Sequence, residues 1–212
     1  MFKLVRNNLT FIGFIAGMVF FRTAVADWSP VPTSSMEPTI LPGDVVLVNK
    51  LTLGPAIPFT SGRLFALGQP ARGNIITFYP PGLAEQYVKR VIGVPGDRIR
   101  LEGLRLFIND EEVALDDVET LAAENRIIAW ETLNGVRHPV VVQANRPIRQ
   151  VSQTVIVPTG HYFVMGDFRN NSEDSRYWGF VPEENVMGKV NRLLLSTSDQ
   201  RPFFGSLGQT LH

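Results

Sequence analysis

The hydrophobic positions fall into two regimes. From Leu9 to Phe21 the chain is almost continuously apolar. Extended through Arg22 to Trp28, this stretch reaches the length of about twenty residues that a membrane-spanning helix needs. Beyond it, apolar residues come only in strand-length runs separated by Gly, Pro, Asn and Asp. Gly43 to Lys50 opens on a glycine turn and continues as a β-branched run; Asn74 to Tyr79, Tyr87 to Val94, Val151 to Val157, His161 to Met165 and Lys189 to Leu195 are read as further strands. Arg98 to Val113 predicts a hairpin region, with Glu102-Gly103 and Asn109-Asp110 as turns. Leu51 to Arg72 is rich in Gly and Pro and reads as a loop, membrane-facing through Phe59, Leu64 and Phe65. Ala114 to Asn145 has no clean period: a short helix over 116–130 or an irregular insertion around 114–150 both fit. The tail from Ser196 carries no pattern, and no repeat is present. The expected fold is all-β, mainly antiparallel and barrel-like, behind one N-terminal helix.

Lys3 and Arg6 precede the apolar run, which places residues 1–8 in the cytoplasm, 9–28 in the bilayer and 29–212 on the extracytoplasmic side. Arg22 can snorkel and Trp28 suits the interfacial belt. A cleavable leader ending at Ala24-Val25-Ala26 is the rival reading of the same residues. Both send the bulk of the chain across the membrane. With 212 residues, 44% of them hydrophobic, one main core is expected. Twenty basic and twenty acidic side chains cancel, which argues against a nucleic-acid partner. The absence of cysteine removes thiolate chemistry, and His138, His161 and His212 lack metal-ligand spacing, so neither a metal nor another cofactor is expected.

Any covalent chemistry must then use oxygen or nitrogen. Val31 to Asp44 reads VPTSSMEPTILPGD, with Thr33, Ser34 and Ser35 held between Pro32 and Pro38. Proline fixes φ and pushes its predecessor to extended geometry, so this stretch predicts a stiff, extended ribbon that presents a serine; a plain linker is the other reading. A serine nucleophile needs a base, and a desolvated lysine can be one because burial disfavours the ammonium. Lys89 lies on a predicted strand with Tyr87 and Val91 on its face and no acid among these local neighbours. Gly166 to Gly179, GDFRNNSEDSRYWG, follows a predicted strand as a polar loop. It would either be solvated or brace a site.

Three stretches in order, PTSSMEPT at 32–39, YVKRVIGVPGD at 87–97 and GDFRNNSEDSRYWGFVP at 166–182, together with RGNIITF at 72–78, resemble the type I signal peptidases. These are membrane-anchored serine endopeptidases that remove signal peptides from secreted preproteins after a small residue. The resemblance implies Ser35 as nucleophile and Lys89 as general base, without cofactor or metal. It implies an oxyanion hole of the Ser35 amide and the Thr33 hydroxyl, Ser172 orienting the lysine amine, and Asp174 with Arg176 as a structural ion pair. It also implies small apolar substrate pockets shaped by Val31, Pro32, Met36 and Val88, preprotein signal peptides and the lipid bilayer as partners, and a single-pass inner (plasma) membrane location with the catalytic domain on the extracytoplasmic, periplasmic side. Ser34 stands where glycine is frequent in that family, Asn74 and Asn170 where aspartate is common, and Phe168 where a polar residue is common. A conjugation-system maturation peptidase of the same architecture, or a non-catalytic membrane-tethered β module, are the competing expectations.

Overall fold

The computed structural model describes residues 8–55, 57, 62–199, 208 and 210–211. The expected cytoplasmic segment (except Asn8), Phe59 and most of the tail lie outside these residues. The apolar run forms helix α1 (Leu9–Ala24), whose long side chains are largely exposed. Its 16 residues span about 24 Å, against a hydrocarbon core of roughly 30 Å. No helix among the described residues is long and apolar enough to cross a membrane. The expected span to Trp28 is therefore shortened. Residues from Ala26 onward are claimed by a sheet, whose pairing requires extended backbone.

The strands follow as β1 (Ala26–Val31), β2 (Asp44–Asn49), β3 (Ile75–Phe78), β4 (Tyr87–Gly93), β5 (Arg98–Glu102), β6 (Arg105–Ile108), β7 (Glu111–Glu112), β8 (Leu115–Leu121), β9 (Arg126–Leu133), β10 (Val136–Gln143), β11 (Val151–Ile156), β12 (His161–Met165), β13 (Val181–Pro182) and β14 (Val186–Ser196). The one-turn helix α2 (Ser175–Trp178) lies between β12 and β13. Seven strands form the main sheet in the order β1-β2-β14-β3-β4-β12-β13, all antiparallel. The order is open at β1 and β13, so the barrel-like, antiparallel architecture expected takes the form of a half-barrel. Proline at 30 is tolerated because β1 is an edge strand. Apolar side chains leave the main sheet on both faces: Val46, Val48, Ile75 and Val190 pack with Met36 and Ile40, while Ile76, Phe78, Val91 and Val164 pack with Tyr162 and Val186.

The hairpin turns fall where the sequence placed them, with Gly103, Asn109 and Asp110 all at positive φ. The stretch from 114 to 145 is neither a helix nor irregular. It is a three-stranded antiparallel sheet, β10-β9-β8, with one 3-10 turn at Ala122–Glu124. Its periodicity is obscured because β8 is exposed along most of its length while β10 buries consecutive valines. The insertion is stitched to the loop after β12. Val141 N donates to Asp167 O (2.9 Å) and accepts through its carbonyl from Arg169 N (2.9 Å), forming a short parallel bridge. Below it, Arg169 makes a two-pronged contact with Glu131, both fully buried, beside a fully buried His138. Burial pushes the Glu131 carboxyl up, but the Arg169 charge and hydrogen bonds hold it below its ordinary value. Removing one partner of such a pair leaves an uncompensated internal charge. Glu131→Ala is therefore expected to lower stability by about 3 to 5 kcal/mol, read from urea denaturation. An unchanged midpoint would contradict the role assigned to the pair.

Candidate active site

The serine segment departs from the expected ribbon. Thr33 is extended (φ −115°, ψ 153°), but Ser34–Met36 form a 3-10 turn before Glu37 returns to extended geometry. The two prolines restrict themselves and their predecessors Val31 and Glu37, leaving the four residues from Thr33 to Met36 free to turn. Tertiary contacts then fix the turn: Phe168 N donates to Ser35 O (3.2 Å), Asn171 Nδ2 to Ser34 Oγ (2.8 Å) and Arg126 to Glu37 Oε2 (3.0 Å). Ser35 is only 8% exposed, and Lys89 only 3%.

Alternation along β4 sends Lys89 and Arg90 to opposite sides. Lys89 Nζ donates to Ser35 Oγ at 2.7 Å and to Val88 O at 3.1 Å, with the Tyr87 ring 5.3 Å away. Arg90 donates to Asp167 through Nε (2.9 Å) and Nη2 (2.7 Å). Burial pulls the Lys89 ammonium down from 10.5 to about 8. Asp174 and Asp167 push it back up, and Arg176 lowers it further, but desolvation prevails. The sequence found no acid on the strand's own face. The acids that matter arrive from the 166–179 loop, already occupied by arginines: Asp167 by Arg90 and Asp174 by Arg176, the latter pair wholly buried.

Thr33 Oγ1 lies 3.3 Å from Ser35 Oγ. Ser172, expected to orient the amine, instead donates its hydroxyl to Asp174 Oδ2 at 2.7 Å. Asp174 also gathers Gly166 N (3.0 Å) and the Arg176 guanidinium, so the Ser172 proton is committed to a charged acceptor. Gly166 itself is a site residue the sequence did not single out. A Cβ there would collide with the Ser172 side chain and the Ser35 carbonyl, so only glycine lets the loop close against the nucleophile turn. Asn170 and Phe168, unusual for the resembled family, also have physical roles. The Asn170 amide donates to Gln143 O and Arg146 O (2.7 Å each) and accepts from Gln143 N (2.9 Å). An aspartate has no hydrogens to donate. Phe168 is buried beneath Arg126, 5.3 Å from its ring.

Ser35 and Lys89 line a cleft of about 350 Å³ together with residues 29–34, Glu85 to Val88, Asn171 and Glu173. Of the expected substrate residues, Val31, Pro32 and Val88 line this cleft. Met36 does not: the 3-10 turn points it into the core, where it is fully buried against Ile40 and Val48. Glu85, which lies outside the motifs, and Tyr87 and Glu173, which lie within them, also line the cleft, because the fold brings the start of β4 and the 166–179 loop together there. Among the described residues, no group of His, Cys, Asp and Glu could hold a metal ion.

The family described as signal peptidase, peptidase S26, matches residues 4–195. A signal peptidase I of Pseudomonas fluorescens is 34% identical over 223 residues, spanning 97% of this chain and 78% of that protein. One of Rickettsia typhi is 35% identical over 211 residues, spanning 90% and 79%.

A lysine whose folded pKa lies below its unfolded value is destabilising while protonated. The unfolded chain binds the proton more tightly, so the cost is full below about pH 8 and fades as pH rises to 10.5. At roughly 1.4 kcal/mol per unit the upper bound is about 3.5 kcal/mol. Lys89→Met is expected to melt at a higher temperature than the parent at neutral pH, the gap closing near about pH 10. Thermal unfolding at the two pH values checks this, and an unchanged gap would argue against a desolvated lysine.

Proposed function

This chain belongs to the signal peptidase family, peptidase S26, and from that premise we propose that it is a Ser/Lys endopeptidase that removes signal peptides from secreted preproteins. The observation that carries the reading is the 2.7 Å contact between Lys89 Nζ and Ser35 Oγ inside a cleft where burial favours the neutral amine. In this mechanism the neutral amine takes the Ser35 proton as Oγ attacks the carbonyl carbon of the small residue that precedes the cut. The Ser35 amide and the Thr33 hydroxyl hold the oxyanion, and the lysine ammonium returns its proton to the departing amine. A water deprotonated by Lys89 then releases the acyl group and frees Ser35. Asp174, held by Arg176, Ser172 and Gly166, braces the loop that closes behind the nucleophile.

The substrate lies extended in the cleft, with Val31, Pro32 and Val88 limiting side chains near the cut to small ones. Helix α1 anchors the enzyme in the inner membrane, with the β domain on the extracytoplasmic side, where signal peptides emerge.

Ser35→Ala and Lys89→Ala are each expected to abolish cleavage of a preprotein while leaving the circular dichroism spectrum intact; normal processing by either variant would sink the assignment. Lys89→Arg should fail too, since a guanidinium does not deprotonate. In the parent, kcat/KM should fall as pH drops below about 8, because only the neutral amine acts as base. A profile that stays flat down to about pH 5 would exclude a lysine base.

A further inference from the structure

The end of α1 is held in an unusual way. An α-helix leaves its last carbonyls without intrahelical partners, and here Lys50, from the far end of β2, supplies them. Its ammonium donates to Arg22 O (3.0 Å) and Thr23 O (3.3 Å), and Asp27 Oδ2 lies 3.5 Å away. Lys50 is 5% exposed. Its own amide donates to Val25 O (3.0 Å). Asp27 in turn accepts from Arg22 Nε (2.8 Å) and from Trp28 N (2.9 Å), and the Arg22 guanidinium stacks 4.4 Å from the Trp28 ring. Ala24, the last helical residue, is the only buried one in α1. Only Val25 separates α1 from β1.

A helix followed by a flexible linker would sample many directions. This junction has no linker, and the positive charge that meets the negative end of the helix comes from the sheet itself. β1 continues from the junction for about 20 Å at roughly 3.3 Å per residue and runs into the cleft wall and the Ser35 turn.

We propose that Lys50 is a specificity-determining residue: by capping α1 from β2 it locks the membrane helix to the sheet and so sets the height of the Ser35–Lys89 cleft above the bilayer. The inference rests on the reading of α1 as a membrane anchor and of Ser35 and Lys89 as the catalytic pair. A substrate whose own signal helix is embedded in the same bilayer presents its scissile bond at a fixed height. The lock matches the two heights. A free peptide has no such constraint.

The test uses the full chain in liposomes with two substrates, a soluble signal-site peptide and a preprotein inserted in the same bilayer. Lys50→Met keeps the aliphatic stem and loses the cap. Relative to the parent, it is expected to cleave the peptide at an unchanged rate and the inserted preprotein roughly tenfold more slowly, or at displaced bonds read by mass spectrometry of the product. Lys50→Arg, which can still donate to the helix carbonyls, should restore both rate and site. Two glycines inserted after Val25, with Lys50 intact, should reproduce the split. Parent-like processing of the preprotein by Lys50→Met overturns the proposal, as does an equal loss on both substrates, which would make Lys50 a folding residue. Failure of the parent on the soluble peptide would instead strike the Ser/Lys reading, and the proposal with it.

Discussion

Everything around the cleft depends on keeping one lysine out of water without giving it a carboxylate of its own. A carboxylate against Lys89 would hold the ammonium in its charged form and bar it from the role of base proposed for it. Yet Asp167 and Asp174 both lie near enough to raise the lysine's proton affinity. The fold resolves the conflict by assigning each acid an arginine, Arg90 and Arg176, that neutralises it within the same buried volume. Desolvation is then free to dominate.

Those pairs do not come cheaply, because a buried ion pair often contributes less than its desolvation costs. Their use here is positional. Arg90 ties β4 to the loop through Asp167, Arg176 fixes Asp174 at the start of α2, and Arg169 binds the loop to the inserted sheet through Glu131. Gly166 permits the closest approach, and Phe168 N and Asn171 reach back to the carbonyl of Ser35 and the hydroxyl of Ser34. The insertion thus belongs to the scaffold of the cleft: through Val141, Gln143 and Arg126 it holds both the loop and Glu37, two residues beyond Ser35.

The same economy of connection appears at the other end of β1. One strand carries the junction with α1 at its start and delivers the cleft wall and nucleophile turn at its end. The end of α1 and the cleft are therefore joined by six residues of backbone paired along their whole length to β2.

Local physics made much of this legible in advance. β-branched runs bounded by Gly, Pro and Asn are strands whatever packs on them, so β2, β3, β4, β12 and the β5–β6 hairpin could be read directly, and Ser35, Lys89 and the 166–179 loop stood out by chemistry and order. What depended on distant partners could not be read. The inserted sheet was hidden because its exposed strand β8 lacks an alternating pattern, and Met36 was misplaced because a turn fixed by Phe168 and Asn171 rotates it into the core. The hydrogen bond from Ser172 to Asp174 could not be read either, because it depends on how the loop folds back on itself. The helix was drawn too long because hydropathy does not register that Ala26–Val31 has a strand to pair with. Sequence determined which side chains could do the chemistry, since that is a property of each residue. Only the tertiary structure decided how far the lysine is desolvated and which charges are cancelled around it, since burial and pairing are properties of neighbours far apart in the chain.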